Sequence, residues 1–141
     1  MFVEIAEPIE TPNGVLVDGN RLIVGTMGAA QGARGAQGAQ GAPAGGHLIA
    51  FDLRTKAKTE ITPQPLGGID GIESDGRGGF LVTDVFGMRL LHVSASGRRG
   101  RCFSSPPPEL TSVTSRSRQV AVVPFLFGNS VAAYDLSGVS K

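Results

Sequence analysis

The stretch GIDGIESDGRGGFLVTDVFGMRLLHVSA, residues 68–95, holds two runs of strand-forming residues, Gly79–Asp84 and Arg89–Ala95. Ahead of the first stands Asp75-Gly76-Arg77-Gly78-Gly79, the kind of turn that supplies the positive φ a tight hairpin demands. The same pair of runs occurs twice more. Arg21–Gly25 (RLIVG) is followed by His47–Leu53 (HLIAFDL), and Gln119–Pro124 (QVAVVP) by Ser130–Leu136 (SVAAYDL). Their apolar character is alternating or continuous, as in half-buried or fully buried strands. Asp18-Gly19-Asn20 repeats the turn signal before Arg21.

The spacing is regular. From His47 to Arg89 is 42 positions, from Arg89 to Ser130 is 41, and from Gly79 to Gln119 is 40. A period of roughly 40 to 50 residues with strands in hairpins is the signature of propeller blades. The expected architecture is therefore all-β: a partial β-propeller of about three four-stranded antiparallel blades, the last incomplete, forming one domain over 1–141. Strands are expected at 15–18, 21–26, 47–53 and 58–62, then 70–74, 79–84, 89–94 and 100–104, then 110–114, 119–124 and 130–136. Residues 2–6 (FVEIA) fit either the outer strand of a preceding blade or the missing strand of the third.

One interval breaks the period, the 58 positions from Arg21 to Gly79. The excess lies in residues 28–46, GAAQGARGAQGAQGAPAGG, a low-complexity Gly/Ala/Gln segment with almost no side chain able to be buried. It is expected to be a flexible loop inserted within the first blade. Four glycine triplets with one proline are too few for a collagen-like helix.

Composition agrees and narrows the function classes. Of 141 residues, 40% are hydrophobic and 18% charged, with 21 Gly and 9 Pro, which favours many tight turns over long helices. A net charge of +1 gives no field for nucleic acid or a membrane surface, and the arginines at 98, 99, 101, 116 and 118 read as solvated loops. A lone cysteine, Cys102, excludes an internal disulfide. The acidic start MFVEIAEPIE does not fit a signal peptide, and no apolar run reaches a membrane-spanning length. A cytoplasmic location is the expectation.

Two dipeptides at the same repeat position carry the candidate chemistry. Asn13-Gly14 precedes Val15, and Asp70-Gly71 precedes Ile72. In a propeller the innermost strand of each blade begins beside the central channel, so polar residues there converge on one axis. An amide and a carboxylate oxygen from neighbouring blades suit a hard divalent cation. Asn-Gly and Asp-Gly are equally common turn dipeptides, so both readings stand at this point.

PNGVLVDGNRLIVG, DGIESDGRGGFLVTD and VVPFLFGNSVAAYDL resemble successive blades of the gluconolactonase/regucalcin family. That resemblance spans nearly the whole chain. It implies a six-bladed propeller that binds Ca²⁺ or Zn²⁺, polarises a lactone carbonyl and opens the ring with water, with Asn13 and Asp70 as metal ligands. Asp70 would also be the general base. The family's further glutamate has no counterpart, since Glu4, Glu7 and Glu10 lie in no matching motif, and Leu110–Ser115 contains no acidic residue. The implied enzyme is thus incomplete as an isolated chain. Its partner would be a small lactone, and a homodimer would complete the ring. The alternative is a non-catalytic propeller fragment, a binding module or a degenerate remnant.

Nothing else in the sequence competes. There is no G-x-S-x-G, H-E-x-x-H or phosphate-loop motif. His47 and His92 occupy unequal repeat positions and read as packing or surface, Asp84 as a hydrogen-bonding residue within its blade, and Phe80, Phe86, Phe125, Phe127 and Tyr134 as packing between blades.

Overall fold

A computed structural model of the chain describes residues 8–28, 45–104, 114–117, 120–125 and 129–136. These form three antiparallel sheets, each a simple meander. The first blade is β1 (Pro12–Asp18), β2 (Arg21–Thr26), β3 (Leu48–Asp52) and β4 (Lys58–Glu60). The second is β5 (Ile69–Ser74), β6 (Phe80–Asp84), β7 (Arg89–Val93) and β8 (Arg99–Ser104). The third has β9 (Thr114–Ser117), β10 (Val120–Phe125) and β11 (Ser130–Asp135) among the described residues.

The strands fall where the repeat puts them, with one displacement. β9 covers Thr114–Ser117 rather than 110–114, because pairing of Val120 with Ser117 and Val122 with Thr114 draws a polar run into the ladder. Backbone pairing, not an apolar pattern, makes that strand. Residues 2–6, 110–113, Phe127 and nearly all of the Gly/Ala/Gln segment lie outside the described residues. The segment's two ends do not: the backbone of Gly45 sits against Gly28, so close that a Cβ on Gly28 would meet the Gly45 carbonyl carbon at 2.7 Å. Chain departure and return therefore occur at one point on the first blade.

Blades stack face to face through two cores. Between blades 1 and 2 lie Ile23, Leu48 and Ala50 against Ile69, Ile72, Phe80, Val82, Leu91 and Val93. Between blades 2 and 3 lie Leu81 and Leu90 against Ala121, Val123, Phe125 and Leu136. Side chains alternate across a strand, so Phe80 and Val82 serve the first core and Leu81 the second. This explains why β6 is buried at every position and reads as a continuous apolar run, as strands covered on both faces do. Each large side chain buried this way contributes about 1.5–3 kcal/mol. Phe86 departs from the expectation of interblade packing. It stands on the β6–β7 turn, 48% exposed, with its ring over Gly68, because the turn residues protrude beyond the stacked sheets.

Buried polar groups are satisfied locally. Thr26 Oγ1 accepts from the His47 amide and Thr62 Oγ1 from the Leu48 amide, both at 3.0 Å. Among the described residues no buried side-chain polar atom lacks a partner.

Candidate functional site

The Asn-Gly and Asp-Gly dipeptides are not turns. Pro12 pairs with Thr26 and Val15 with Val24, so three steps along β1 oppose two along β2. Ile69 pairs with Asp84 and Ile72 with Val82 in the same way. Each first strand thus carries a β-bulge at the same place, containing Asn13-Gly14 in blade 1 and Asp70-Gly71 in blade 2. A bulge re-aims a side chain that regular pleating would send into a sheet face. In blade 2 the Gly71 amide freed by the bulge donates to the buried Thr83 hydroxyl at 2.7 Å, which holds the distortion in place.

Glycine lets the two bulges meet. A Cβ on Gly14 would lie 2.2 Å from the Asp70 carbonyl oxygen, so only glycine permits blade 1 to approach blade 2 there. The result is direct contact: Asn13 Nδ2 donates to Asp70 Oδ1 at 2.9 Å and to the Ile69 carbonyl oxygen at 3.2 Å. Asn13 is exposed and Asp70 half-buried. Burial pushes the Asp70 carboxyl above its ordinary range, and the Asn13 hydrogen bond pulls it partly back. The net shift is upward.

The oxygens this pair could offer a cation are the Asp70 carboxylate, the Ile69 carbonyl and the Asn13 amide oxygen, which a half-turn of the terminal torsion would have to bring round in place of the nitrogen that now donates. Such a set fits a hard cation such as Ca²⁺ better than Zn²⁺, which prefers nitrogen and sulfur. Among the described residues no group of three or more His, Cys, Asp or Glu side chains is placed to hold a metal. Three grooves of about 430, 370 and 240 Å³ lie elsewhere, and neither Asn13 nor Asp70 lines any of them.

The other polar residues resolve into supports. Asp84, 1% exposed, accepts from the Gly68 and Gly87 amides at 2.9 and 3.0 Å and from the Arg89 guanidinium, including Nε at 3.1 Å. It ties the start of β5 to the β6–β7 turn and does not face the bulge pair. His47 Nδ1 lies 2.8 Å from the Thr62 carbonyl oxygen and 3.1 Å from Glu60 Oε1. His92 Nε2 lies 2.9 Å from Asp75 Oδ2. That last pair is invisible to sequence reading, which sees Asp75 only as a turn former. Asp75 Oδ1 also accepts from the Arg77 and Gly79 amides at 2.7 and 2.9 Å. Burial raises the Asp75 carboxyl, yet His92 and the two amides outweigh burial and hold it below its ordinary range.

The stacked four-stranded meanders, with first strands converging at one end, define a β-propeller fold. Solved structures agree. The chain matches virginiamycin B lyase from Staphylococcus aureus at 14% identity and a TM-score of 0.58, over 90% of this chain and 42% of the lyase. It matches the computationally designed Ika4 protein at 13% and 0.54, over 94% of this chain and 96% of that one. The designed Ika8 protein matches at 11% and 0.54, over 92% of this chain and 47% of that one. At such identities the likeness is one of fold. No family model and no curated protein matches the chain. Among the described residues no helix is long and apolar enough to cross a membrane.

Proposed function

We propose that this chain supplies part of a metal-dependent hydrolase of small lactones, with Asn13 and Asp70 holding a divalent cation at the channel mouth and Asp70 as general base. One observation carries the reading: the two residues occupy the same bulge on adjacent blades and their side chains meet at 2.9 Å. The resemblance of the three repeats to gluconolactonase-type blades supports it, and the solved lyase with this fold is itself an enzyme. When bound, the cation supplies Lewis-acid polarisation of a substrate carbonyl. The chain's own part is to hold the Asp70 carboxylate half-buried, bonded on one side to Asn13 and able to take a proton from water on the other. In the cation-free site burial raises its pKa, and a bound cation would lower it again.

A second reading rests on a specific contact. The Asn13 amide already satisfies Asp70 without a cation, as in a binding module whose bulge pair simply locks two blades together. Calorimetric titration with Ca²⁺ and a pH-stat assay on a simple sugar lactone separate the two. The hydrolase reading expects Asp70→Asn to weaken cation binding by at least tenfold and to abolish ring opening. It also expects Ca²⁺ binding to weaken as the pH drops through the raised pKa of the cation-free Asp70, at higher pH than an ordinary aspartate gives. Unaltered Ca²⁺ binding in Asp70→Asn would sink it. Because Asp70 is ionised at a cost in its half-buried place, Asp70→Asn leaves the fold as stable as before or slightly more so at neutral pH.

A further inference from the structure

The β4–β5 connection, which carries the chain from blade 1 to blade 2, runs beside the β7–β8 turn of blade 2. Between them lies the groove of about 370 Å³, with residues 63–66 on one side and Gly97, Arg98 and Arg99 on the other. Both sides are held rigidly. Pro63 and Pro65 fix their own φ. The Leu66 amide donates to the Gly46 carbonyl at 2.9 Å, and the Leu66 side chain is buried in the first core. Opposite, the Ser94 amide donates to the Arg98 carbonyl and the Gly97 amide to the Ser94 carbonyl, both at 2.9 Å, while Ser94 Oγ accepts from the Arg98 amide at 3.2 Å. Gly97 has a φ of 76° and lies so close to the Ile61 carbonyl that a Cβ there would overlap it, so the turn is docked on the connection. The groove is therefore preformed.

Its charge is one-sided. Arg98 and Arg99 are exposed, and no acidic residue lines the groove. Arg21 and Arg89 each have an aspartate partner, whereas among the described residues no carboxylate pairs with Arg98 or Arg99. We propose that the groove binds a small molecule carrying an oxyanion, phosphate or carboxylate, held by these two guanidinium groups. A guanidinium presents a planar fork of donors that matches two oxygens of such an anion. Gln64 adds neutral amide donors, and Pro63 and Pro65 give an apolar wall for the rest of the ligand. The volume falls within the range of small-molecule sites, about 300–1,000 Å³. With a net charge of +1 for the whole chain, the attraction is local to these residues and not a general field. Neither Asn13 nor Asp70 lines the groove, so the proposal is independent of the hydrolase reading.

Calorimetric titration with phenyl phosphate and with benzoate, in a buffer free of phosphate, tests it. The natural chain should bind one molecule of at least one probe with a Kd of about 1 mM or tighter, and the preferred probe tells which oxyanion the groove selects. Arg98→Ala and Arg99→Ala should each weaken that binding by about tenfold or more, with unchanged far-UV circular dichroism because both side chains are exposed. Arg98→Lys keeps the charge and loses the fork, so it should recover only part of the affinity. Arg54→Ala removes an exposed arginine outside the groove and should change nothing. No saturation by either probe, an equal loss in Arg54→Ala, or full binding in both groove variants overturns the proposal. So does a short single-stranded oligonucleotide that binds through Arg98 and Arg99 more tightly than either probe, since it would make them a nucleic-acid contact.

Discussion

Blades 1 and 2 share a bulge, a register and a core, and differ in how their second strand is joined to their third. In blade 2 the connection is the short Val85–Met88 turn, and the last residue of β6, Asp84, clamps it. In blade 1 the equivalent residue is Thr26, whose hydroxyl accepts from the His47 amide and from no other donor among the described residues, and here the chain carries the Gly/Ala/Gln segment. A buried carboxylate with several donors requires the turn to have one length. A hydroxyl with one donor does not. The blade that tolerates an insertion is the one without the clamp.

The strongest way to break this comparison is Asp84→Thr, which gives blade 2 the residue of blade 1. It leaves the Gly68 and Gly87 amides without their acceptor and the half-buried Arg89 guanidinium with only the Leu66 carbonyl among the described residues, at a cost of about 3 kcal/mol. Urea unfolding should show the midpoint falling sharply; an unchanged midpoint would mean the clamp is dispensable. A smaller effect is expected at the first hairpins. Blade 2 pins its β5–β6 turn with the partly buried Asp75–His92 pair, whereas blade 1 has an exposed Asp18–Arg21 pair worth about 0–1 kcal/mol. Asp75→Asn should cost about 1 kcal/mol at neutral pH. The Asp75 carboxyl is lowered in the fold, so its contribution is present above the unfolded carboxylate pKa and disappears as the pH falls through the lower folded one. The stability gap between natural chain and variant should therefore close in strong acid. In blade 1 the direction reverses: replacing residues 29–44 by two glycines should leave stability unchanged or raise it by up to about 2 kcal/mol, since each halving of a loop returns about 0.6 kcal/mol and its ends already touch. A drop of several degrees in melting temperature would show that the segment packs on the blade.

The repeat made the blades legible, because a sandwiched strand such as β6 must be apolar on both sides and so stands out as a run. Asn13 and Asp70 were legible as equivalent positions, but their bulge was not: Asn-Gly and Asp-Gly look the same in a turn, and only the pairing of Val15 with Val24 and Ile72 with Val82 separates the cases. Register also hides the Asp75–His92 pair, whose members are seventeen residues apart with no shared pattern. β9 escaped at its true position because Thr-Ser-Arg-Ser carries no apolar signal. Phe86 misled because an aromatic residue on a tight turn has the composition of a core residue and the location of a surface one.

The meander in every sheet means that, among the described residues, strands pair only with their neighbours in the chain and blades touch only the blades on either side. Such a molecule behaves as a short one-dimensional array, in which stability is a sum of unit terms and nearest-neighbour couplings. Each meander can form from local contacts before docking, so folding proceeds by accretion of whole units rather than by one long-range collapse. Damage then spreads no further than one junction, and lineages can gain or lose a unit without redesigning those that remain.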